Sequence, residues 1–239
     1  MNGLMLVLAM KRMEEIAVAI NDLPYRDEVN ELRNKLEESL HKNAFINGYY
    51  ARVLINKKES KYKFIGAPKD GLSLVDGFDG SLYLNSLSWS VLSGVATEEE
   101  ISSMMKLCDK YLKTKAGFKL CTLHNLKLVG ANIAATEIYF PGHRENGAVF
   151  KHATMMFARA MLKGTKNIKN EALKQNMIDD AKFMLDIVYP FNAYKDLYTF
   201  KGNPRFCTQY VNSVSCEHIG PILSGTSTWL LLTLLEEII

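Results

Sequence analysis

The stretch Ala148-Val-Phe-Lys-His-Ala-Thr-Met-Met-Phe-Ala-Arg-Ala-Met-Leu162 is apolar on nearly every helical face, interrupted mainly by Lys151, His152 and Arg159. A helix of that kind must be enclosed by others. The next periodic run, Ile168 to Val188, differs: Met177, Ala181, Met184, Leu185 and Val188 form a single stripe and the other faces are polar. A one-sided helix lies outside an enclosed one. The same pairing recurs toward the N-terminus. Leu4 to Ile20 is apolar on most sides, with Leu4, Leu8, Met13, Ile16 and Ile20 near one line, and Arg26 to Lys42 carries the narrow stripe Val29, Leu32, Leu36 and Leu40. Leu87 to Leu92 is a short apolar helix. Behind it, the capping box Thr97-x-x-Glu100 opens a helix with Ile101, Met104, Met105, Cys108, Tyr111 and Leu112 in register. The last run, Trp229 to Ile239, is apolar except at Glu236 and Glu237 and has no outer companion.

Three pairs of enclosed and outer helices, plus one more enclosed helix, predict an all-α fold of the (α/α)6 barrel type, with inner and outer helices alternating. A closed toroid of this kind uses about twelve helices, so seven make a partial barrel. The terminal helices lack partners, and residues 1–239 are read as one domain, the C-terminal portion of a larger barrel. A short β and loop insertion is expected around 49–85, where Tyr49 to Ile55 alternates and Gly66 to Gly80 is rich in Gly and Asp.

Composition narrows the function. With 239 residues and 48% hydrophobic side chains, the chain is neither disordered nor fibrous. Its 29 basic residues barely outnumber 26 acidic ones, too weak a balance for a nucleic-acid partner, and Lys57-Lys58 reads as a solvated loop. Cys108, Cys121, Cys207 and Cys216 contain no C-x-x-C pair, so reduced thiols and a cytoplasmic setting are expected. The apolar opening Leu4 to Met10 is followed, not preceded, by Lys11 and Arg12, and it is far too short to span a bilayer. No membrane partner is expected.

Two polar clusters open enclosed helices. Tyr139-Phe-Pro-Gly-His-Arg-Glu-Asn-Gly147 puts Arg144, Glu145 and Asn146 on a loop ahead of the central helix, with His152 in its first turns. A helix N-terminus offers free N–H groups and about half a positive charge, which suits an anion such as phosphate. The alternative is a loop in which Asn146 caps the helix and His152 is a satisfied core residue. Ser224-Gly-Thr-Ser-Thr228 opens the last helix in the same way, as an anion cradle or as an ordinary cap. Trp89 is a sugar-stacking platform or core, and Arg205, Gln209 and Asn212 are ligand donors or solvated loop. Cys216 and His218 lack a metal-ligand spacing, and no H-E-x-x-H, G-x-S-x-G, Walker or Rossmann pattern occurs. Asp76, Asp79 and Glu145 are scattered, not paired.

Four stretches carry a resemblance: Leu84-Asn-Ser-Leu-Ser-Trp-Ser-Val-Leu-Ser-Gly94, Phe140-Pro-Gly-His-Arg-Glu-Asn-Gly-Ala-Val-Phe-Lys-His-Ala153, Phe206-Cys-Thr-Gln-Tyr210 and Leu223-Ser-Gly-Thr-Ser-Thr-Trp229. In order and spacing the chain resembles the catalytic domain of the family 94 glycoside phosphorylases. These include the cellobiose, chitobiose and cellobionic-acid phosphorylases and the phosphorylase-like part of cyclic β-1,2-glucan synthases. The resemblance implies an (α/α)6 barrel and inverting phosphorolysis of a β-glucoside to a sugar 1-phosphate. Phosphate attacks the anomeric carbon and a carboxylic acid protonates the leaving oxygen. It implies phosphate binding by His152, Gln209, Ser224 and Gly225, although many relatives have Thr where Ser224 stands. Sugar binding is implied for Arg144 and Glu145, with Trp89 and Arg52 beside them. It implies no cofactor and no metal, inorganic phosphate being a co-substrate, and members are often homodimers.

The chain departs from the family pattern in three places. Leu87 replaces a common Gln, and Phe45-Ile46 replaces a Trp-Asp pair ahead of the element ending at Arg52. The family's general acid, an Asp in an Asp-Trp-Asn-Asp-like segment, is expected upstream of Met1. Loss of a general acid costs about 10²–10⁴ in rate, so negligible turnover is expected of the chain alone, with an upstream chain completing the barrel. A non-catalytic remnant or sugar-binding module is the competing expectation.

Overall fold

A computed structural model describes residues 1–56, 58–129, 139–189, 207–220 and 224–238. Helices dominate. Helix α1 spans Asn2–Ala19 and α2 Leu23–Asn43, started by the Asp22 carboxylate, which accepts from the Tyr25 N–H, and by Pro24 in its first turn. Helix α3 spans Leu84–Leu92 and α4 Glu98–Tyr111, the latter with the full Thr97/Glu100 capping box that its sequence predicts. Helices α5 (Lys151–Gly164), α6 (Glu171–Val188) and α7 (Ser224–Thr233) follow, α7 running on into a π-helical turn at Leu234–Ile238.

The packing follows the alternation read from the sequence. Helix α1 packs on α3, α3 on α5 and α5 on α7, while α2, α4 and α6 lie against α1, α3 and α5 in turn. The inner row thus holds α1, α3, α5 and α7. Its four N-termini meet at one end. The Met1 ammonium donates to the Arg52 carbonyl, and the Arg52 guanidinium stacks 4.4 Å from the Tyr83 ring at the start of α3. His152 at the start of α5 touches Gly225 at the start of α7. At the other end, Lys163 of α5 reaches the Leu92 carbonyl that closes α3. Outer helices are tied by side chains: Glu100 of α4 accepts from the Tyr50 hydroxyl beyond α2, and Glu98 of α4 accepts the Lys169 and Asn170 N–H groups ahead of α6.

A structural repeat accompanies the pairs. Helix α2 ends in a two-residue hairpin, β1 (Phe45–Ile46) against β2 (Tyr49–Tyr50), and α4 ends in another, β5 (Lys113–Thr114) against β6 (Gly117–Phe118). In the first, Asn47 and Gly48 both have positive φ, as a tight hairpin turn of this hand requires. Strands β3 (Val53–Leu54) and β4 (Phe64–Ile65) pair within the expected 49–85 insertion. A three-stranded sheet joins β7 (Val149–Phe150), β8 (Tyr210–Val211) and β9 (His218–Ile219).

Several expectations are corrected. Ala148 to Phe150 are not helical: Val149 and Phe150 pair with Val211 and Tyr210, and α5 begins only at Lys151. Helix α3 starts three residues earlier than Leu87, and α7 starts at Ser224 rather than Trp229. Asn146 does not cap α5; its amide donates to the Tyr139 carbonyl at 2.7 Å, and Phe150 holds the cap position. Leu32, placed in the α2 stripe, is exposed. So are Met13 and Ile16 on the second half of α1 and Ile20 at its C-cap; in the whole helix only Leu4, Val7 and Ala17 are buried. An apolar residue is buried only where another element covers it, and no described element covers that face. All four cysteines are free thiols, and Cys108, Cys121 and Cys216 are buried. Among the described residues no helix is long and apolar enough to cross a membrane.

Candidate functional site

The shared end of the inner row gathers the residues singled out from the sequence. His152 is the second residue of α5 and is half-buried; Gly225 is the second residue of α7. A Cβ on Gly225 would stand 3.2 Å from His152 Nδ1 and 3.3 Å from Cε1, so the absence of a side chain is what lets the two helix N-termini close on each other. Two partial positive charges therefore meet at the imidazole. Desolvation holds the His152 pKa below its ordinary value, so the ring is neutral at neutral pH. A neutral imidazole beside free N–H groups can hydrogen-bond an anion without carrying a fixed charge of its own.

Gln209, just ahead of β8, is joined to the start of α5 through its backbone, and its side chain lies against Gly220. Its carbonyl accepts the Lys151 N–H at 3.1 Å, which fixes the strand against the start of α5. Its side-chain amide oxygen is buried with no hydrogen-bond partner among the described residues. A buried acceptor oxygen left unpaired is unusual, and a hydrogen-bond donor on a bound group, such as a hydroxyl, is one way to satisfy it. Ser224 contributes the first residue of α7; its side chain, like Arg205 and Leu223, lies outside the described residues.

Two tryptophans line this corner. Trp89 of α3 meets Trp229 of α7 edge-on at 6.1 Å, and Trp229 faces His152 at 6.3 Å. The structure thus groups Trp89 with His152 and Gly225, not with the other residues expected to bind sugar. Those form a second group. Arg52 stacks on Tyr83, Tyr83 bridges to Cys121 through the backbone, and the Cys121 thiol donates to the Glu145 carbonyl at 3.2 Å. Glu145 is exposed and Arg144 half-buried, its guanidinium 5.3 Å from the Tyr139 ring. Arg144 has φ +41°, a strained left-handed conformation for an arginine and a common mark of functional loops.

The loop carrying Arg144 and Glu145 is pinned to the three-stranded sheet. Gly142, at φ +86°, lies so close to Asn212 that a Cβ would meet its Oδ1 at 2.6 Å, and the His143 ring bonds the Tyr210 hydroxyl at 3.2 Å. Asn212, read as a ligand donor or solvated residue, is instead buried, accepting the Val214 and Ser215 N–H groups in a turn. One sheet therefore positions both the loop and Gln209.

The sequence assigns no role to three groups here. Lys151, which interrupts the apolar run in the sequence, is fully buried, and its ammonium lies 3.2 Å from His218 Nδ1. Burial lowers its pKa, and burial together with the Lys151 charge pushes His218 down to about 3. Below the Arg52 group, the Tyr83 hydroxyl bonds His124 Nε2 at 2.6 Å while His124 Nδ1 bonds the Thr122 carbonyl at 2.6 Å. That pairing fixes the tautomer: Nδ1–H donates and Nε2 accepts. Trp229 is the third. Among the described residues no cluster of three or more His, Cys, Asp or Glu side chains has a metal-binding arrangement.

A family model described as the glycosyl hydrolase 94 superfamily, catalytic domain, matches residues 1–239. The chain belongs to that family. Among curated proteins, this family 94 chain is similar to the cellobionic acid phosphorylase of Neurospora crassa, 31% identical over 83 residues. That stretch is 35% of this chain and 10% of the fungal protein, so the chain spans a small part of the relative's length.

Proposed function

We propose that this family 94 chain forms the phosphate side and part of the sugar side of an inverting glycoside phosphorylase, which cleaves a β-glucoside with inorganic phosphate to give a sugar 1-phosphate. The observation that carries the reading is the contact of Gly225 with His152, which brings two sequence-distant helix N-termini together around a neutral imidazole. Phosphate at neutral pH is an anion held well by N–H donors and helix N-termini. Its oxygens would accept from the His152 ring, the Gln209 amide and the first N–H groups of α7. In this reading Glu145 and Arg52, in the neighbouring group around Tyr83 and Cys121, would serve the sugar, since a carboxylate accepts from hydroxyls and a guanidinium donates to them.

In this reading the chain's own residues hold and orient the nucleophile. The anomeric carbon is attacked by a phosphate oxygen while an acid on the opposite face protonates the leaving oxygen. Neutral donors serve this step better than a tight ion pair, because the phosphate must give up charge as the new bond forms. The barrel fold of the whole enzyme, the glucoside with phosphate as ligands, and a cytoplasmic setting belong to the same proposal. The direct test is calorimetric titration of the chain with inorganic phosphate, followed by incubation with phosphate and β-linked disaccharides, cellobionic acid included. Phosphate binding that is lost in His152→Gln supports the reading; equal binding by both proteins overturns it.

A further inference from the structure

Nothing polar among the described residues explains how the His152 ring is held. Imidazoles that act on ligands are usually oriented by a hydrogen bond from the second nitrogen to a carbonyl or carboxylate. No such bond to His152 is found among the described residues, and burial lowers its pKa. Its neighbours are apolar: the Gly225 α-carbon on the Nδ1 side and the Trp229 ring at 6.3 Å. Gly225 and Trp229 are four residues apart on α7, hence on one face, one turn apart.

Trp229 is itself clamped. The Trp89 ring meets it edge-on at 6.1 Å, and the Arg159 guanidinium lies 5.7 Å from its centroid. Arg159 stands two turns along α5 from His152, so the two side chains flank the same indole from one helix face. Arg159 in turn is fixed by ion pairs to Glu236 and to Glu237, the latter at 3.6 Å, on the π-helical turn. Arg159 is mostly buried and Glu237 more so, which strengthens such pairs relative to surface ones. The indole therefore has little freedom to turn away from His152.

We propose that Trp229 is a positioning residue that sets the His152 imidazole against the N-terminus of α7, taking by ring packing the part a second-nitrogen hydrogen bond plays elsewhere. The proposal rests on the phosphate reading for its consequence and on the contact alone for its geometry. Trp229 touches no phosphate in this account. It acts through the imidazole.

The test uses two readouts. First, the His152 ring is titrated by NMR in the parent chain, Trp229→Phe and Trp229→Leu. In Trp229→Leu the imidazole gains water and its pKa moves up toward the ordinary value of about 6.5. Trp229→Phe, which keeps an aromatic face, restores the parent titration. Second, inorganic phosphate is titrated into the same proteins. Trp229→Leu is expected to bind about tenfold more weakly and Trp229→Phe within about threefold of the parent. Should Trp229→Leu fail to fold, Trp89→Phe leaves Trp229 as the single emitter, since the chain has two tryptophans. Protonation of His152 then quenches its emission, and adding His152→Gln abolishes that quench.

An unmoved titration and unmoved phosphate affinity in folded Trp229→Leu overturn the positioning role and leave the phosphate reading intact. A shifted titration in a protein whose parent binds no phosphate does the reverse: the contact stands and the phosphate reading falls. A pH-independent Trp229 emission, identical with and without His152→Gln, overturns the contact itself.

Discussion

Gly225 and His152 face each other across two helix starts, with 3.2 Å between the imidazole Nδ1 and the place a Cβ would occupy. The contact separates stability from binding. Gly225→Ala improves helix propensity by up to about 1 kcal/mol. The same methyl forces the ring to move by a few tenths of an ångström. The thermal midpoint is expected to hold or rise while phosphate affinity falls about tenfold. Melting and phosphate titration of one purified variant check both; a variant that melts early and binds normally contradicts the geometry.

Gly164, the last residue of α5, sits between the inner helix α3 and the outer helix α6. A Cβ there would stand 2.6 Å from Val91 Cγ1 of α3 and 2.7 Å from Met177 Cε of α6. The methionine can bend away, but the β-branched valine cannot. Gly164→Ala gains helix propensity and loses more to overpacking. A net loss of about 1–2 kcal/mol is expected, lowering the midpoint by a few degrees in a domain of this size. Circular dichroism melts give the answer, and unaltered function-side residues make it a stability effect alone.

What the sequence disclosed follows from how local each signal is. The alternation of broadly apolar and one-sided helices is written in spacing, so Met104, Met105, Met177 and Met184 are all buried as their stripes require. Strand β7 escaped because Val149 and Phe150 continue an apolar run, and their partners Tyr210 and Val211 lie far along the chain. Lys151 reads as a polar interruption; only the folded sheet shows it enclosed beside His218. Met13, Ile16 and Ile20 are apolar on a helix, yet hydrophobicity alone does not say what covers them. For the site, His152 and the Ser224-Gly225 turn were legible as polar openings of two enclosed helices, and the resemblance added a shared ligand. Trp229 sat inside a quoted motif, but its role depends on Arg159 and Trp89, which reach it from two other helices' faces.

Acid sensitivity is expected from the group behind the sheet. Burial and the neighbouring Lys151 charge push the His218 pKa to about 3, whereas an unfolded histidine takes its proton near 6.5. Between those values the unfolded chain binds more protons, so stability falls as pH drops from about 6.5 toward 3. Lys151 has the same sign at higher pH: its pKa is lowered by burial, so the unfolded chain holds the extra proton and stability rises as pH climbs toward about 10.5. From pH 7 to pH 5 the His218 contribution is about 1–2 kcal/mol once its partial exposure is allowed for. His218→Gln cannot be protonated and should flatten that limb. Denaturant melts of parent and variant at the two pH values make the comparison; parallel losses would show that other groups set the acid limit.

Gln209 offers the sharpest test of charge in the pocket. Its amide oxygen is buried without a partner among the described residues, and its backbone carbonyl is held by the Lys151 N–H at 3.1 Å. Gln209→Glu keeps the shape and replaces a neutral group with an acid. An ionised carboxylate and one phosphate charge about 5 Å apart repel by about 3 kcal/mol at an effective dielectric of 20. Burial disfavours the ionised form, so a part of the variant stays protonated and the repulsion grows as pH rises. Phosphate binding should therefore weaken at least about tenfold at pH 7, and more steeply in alkali than the parent's. Gln209→Met, which removes the amide with little change in volume, should cost far less than the acid does. Phosphate titrations of both variants across pH 6 to 9 decide it: equal losses in Met and Glu would mean that shape, not charge, governs this wall, and no loss in either would place the anion elsewhere.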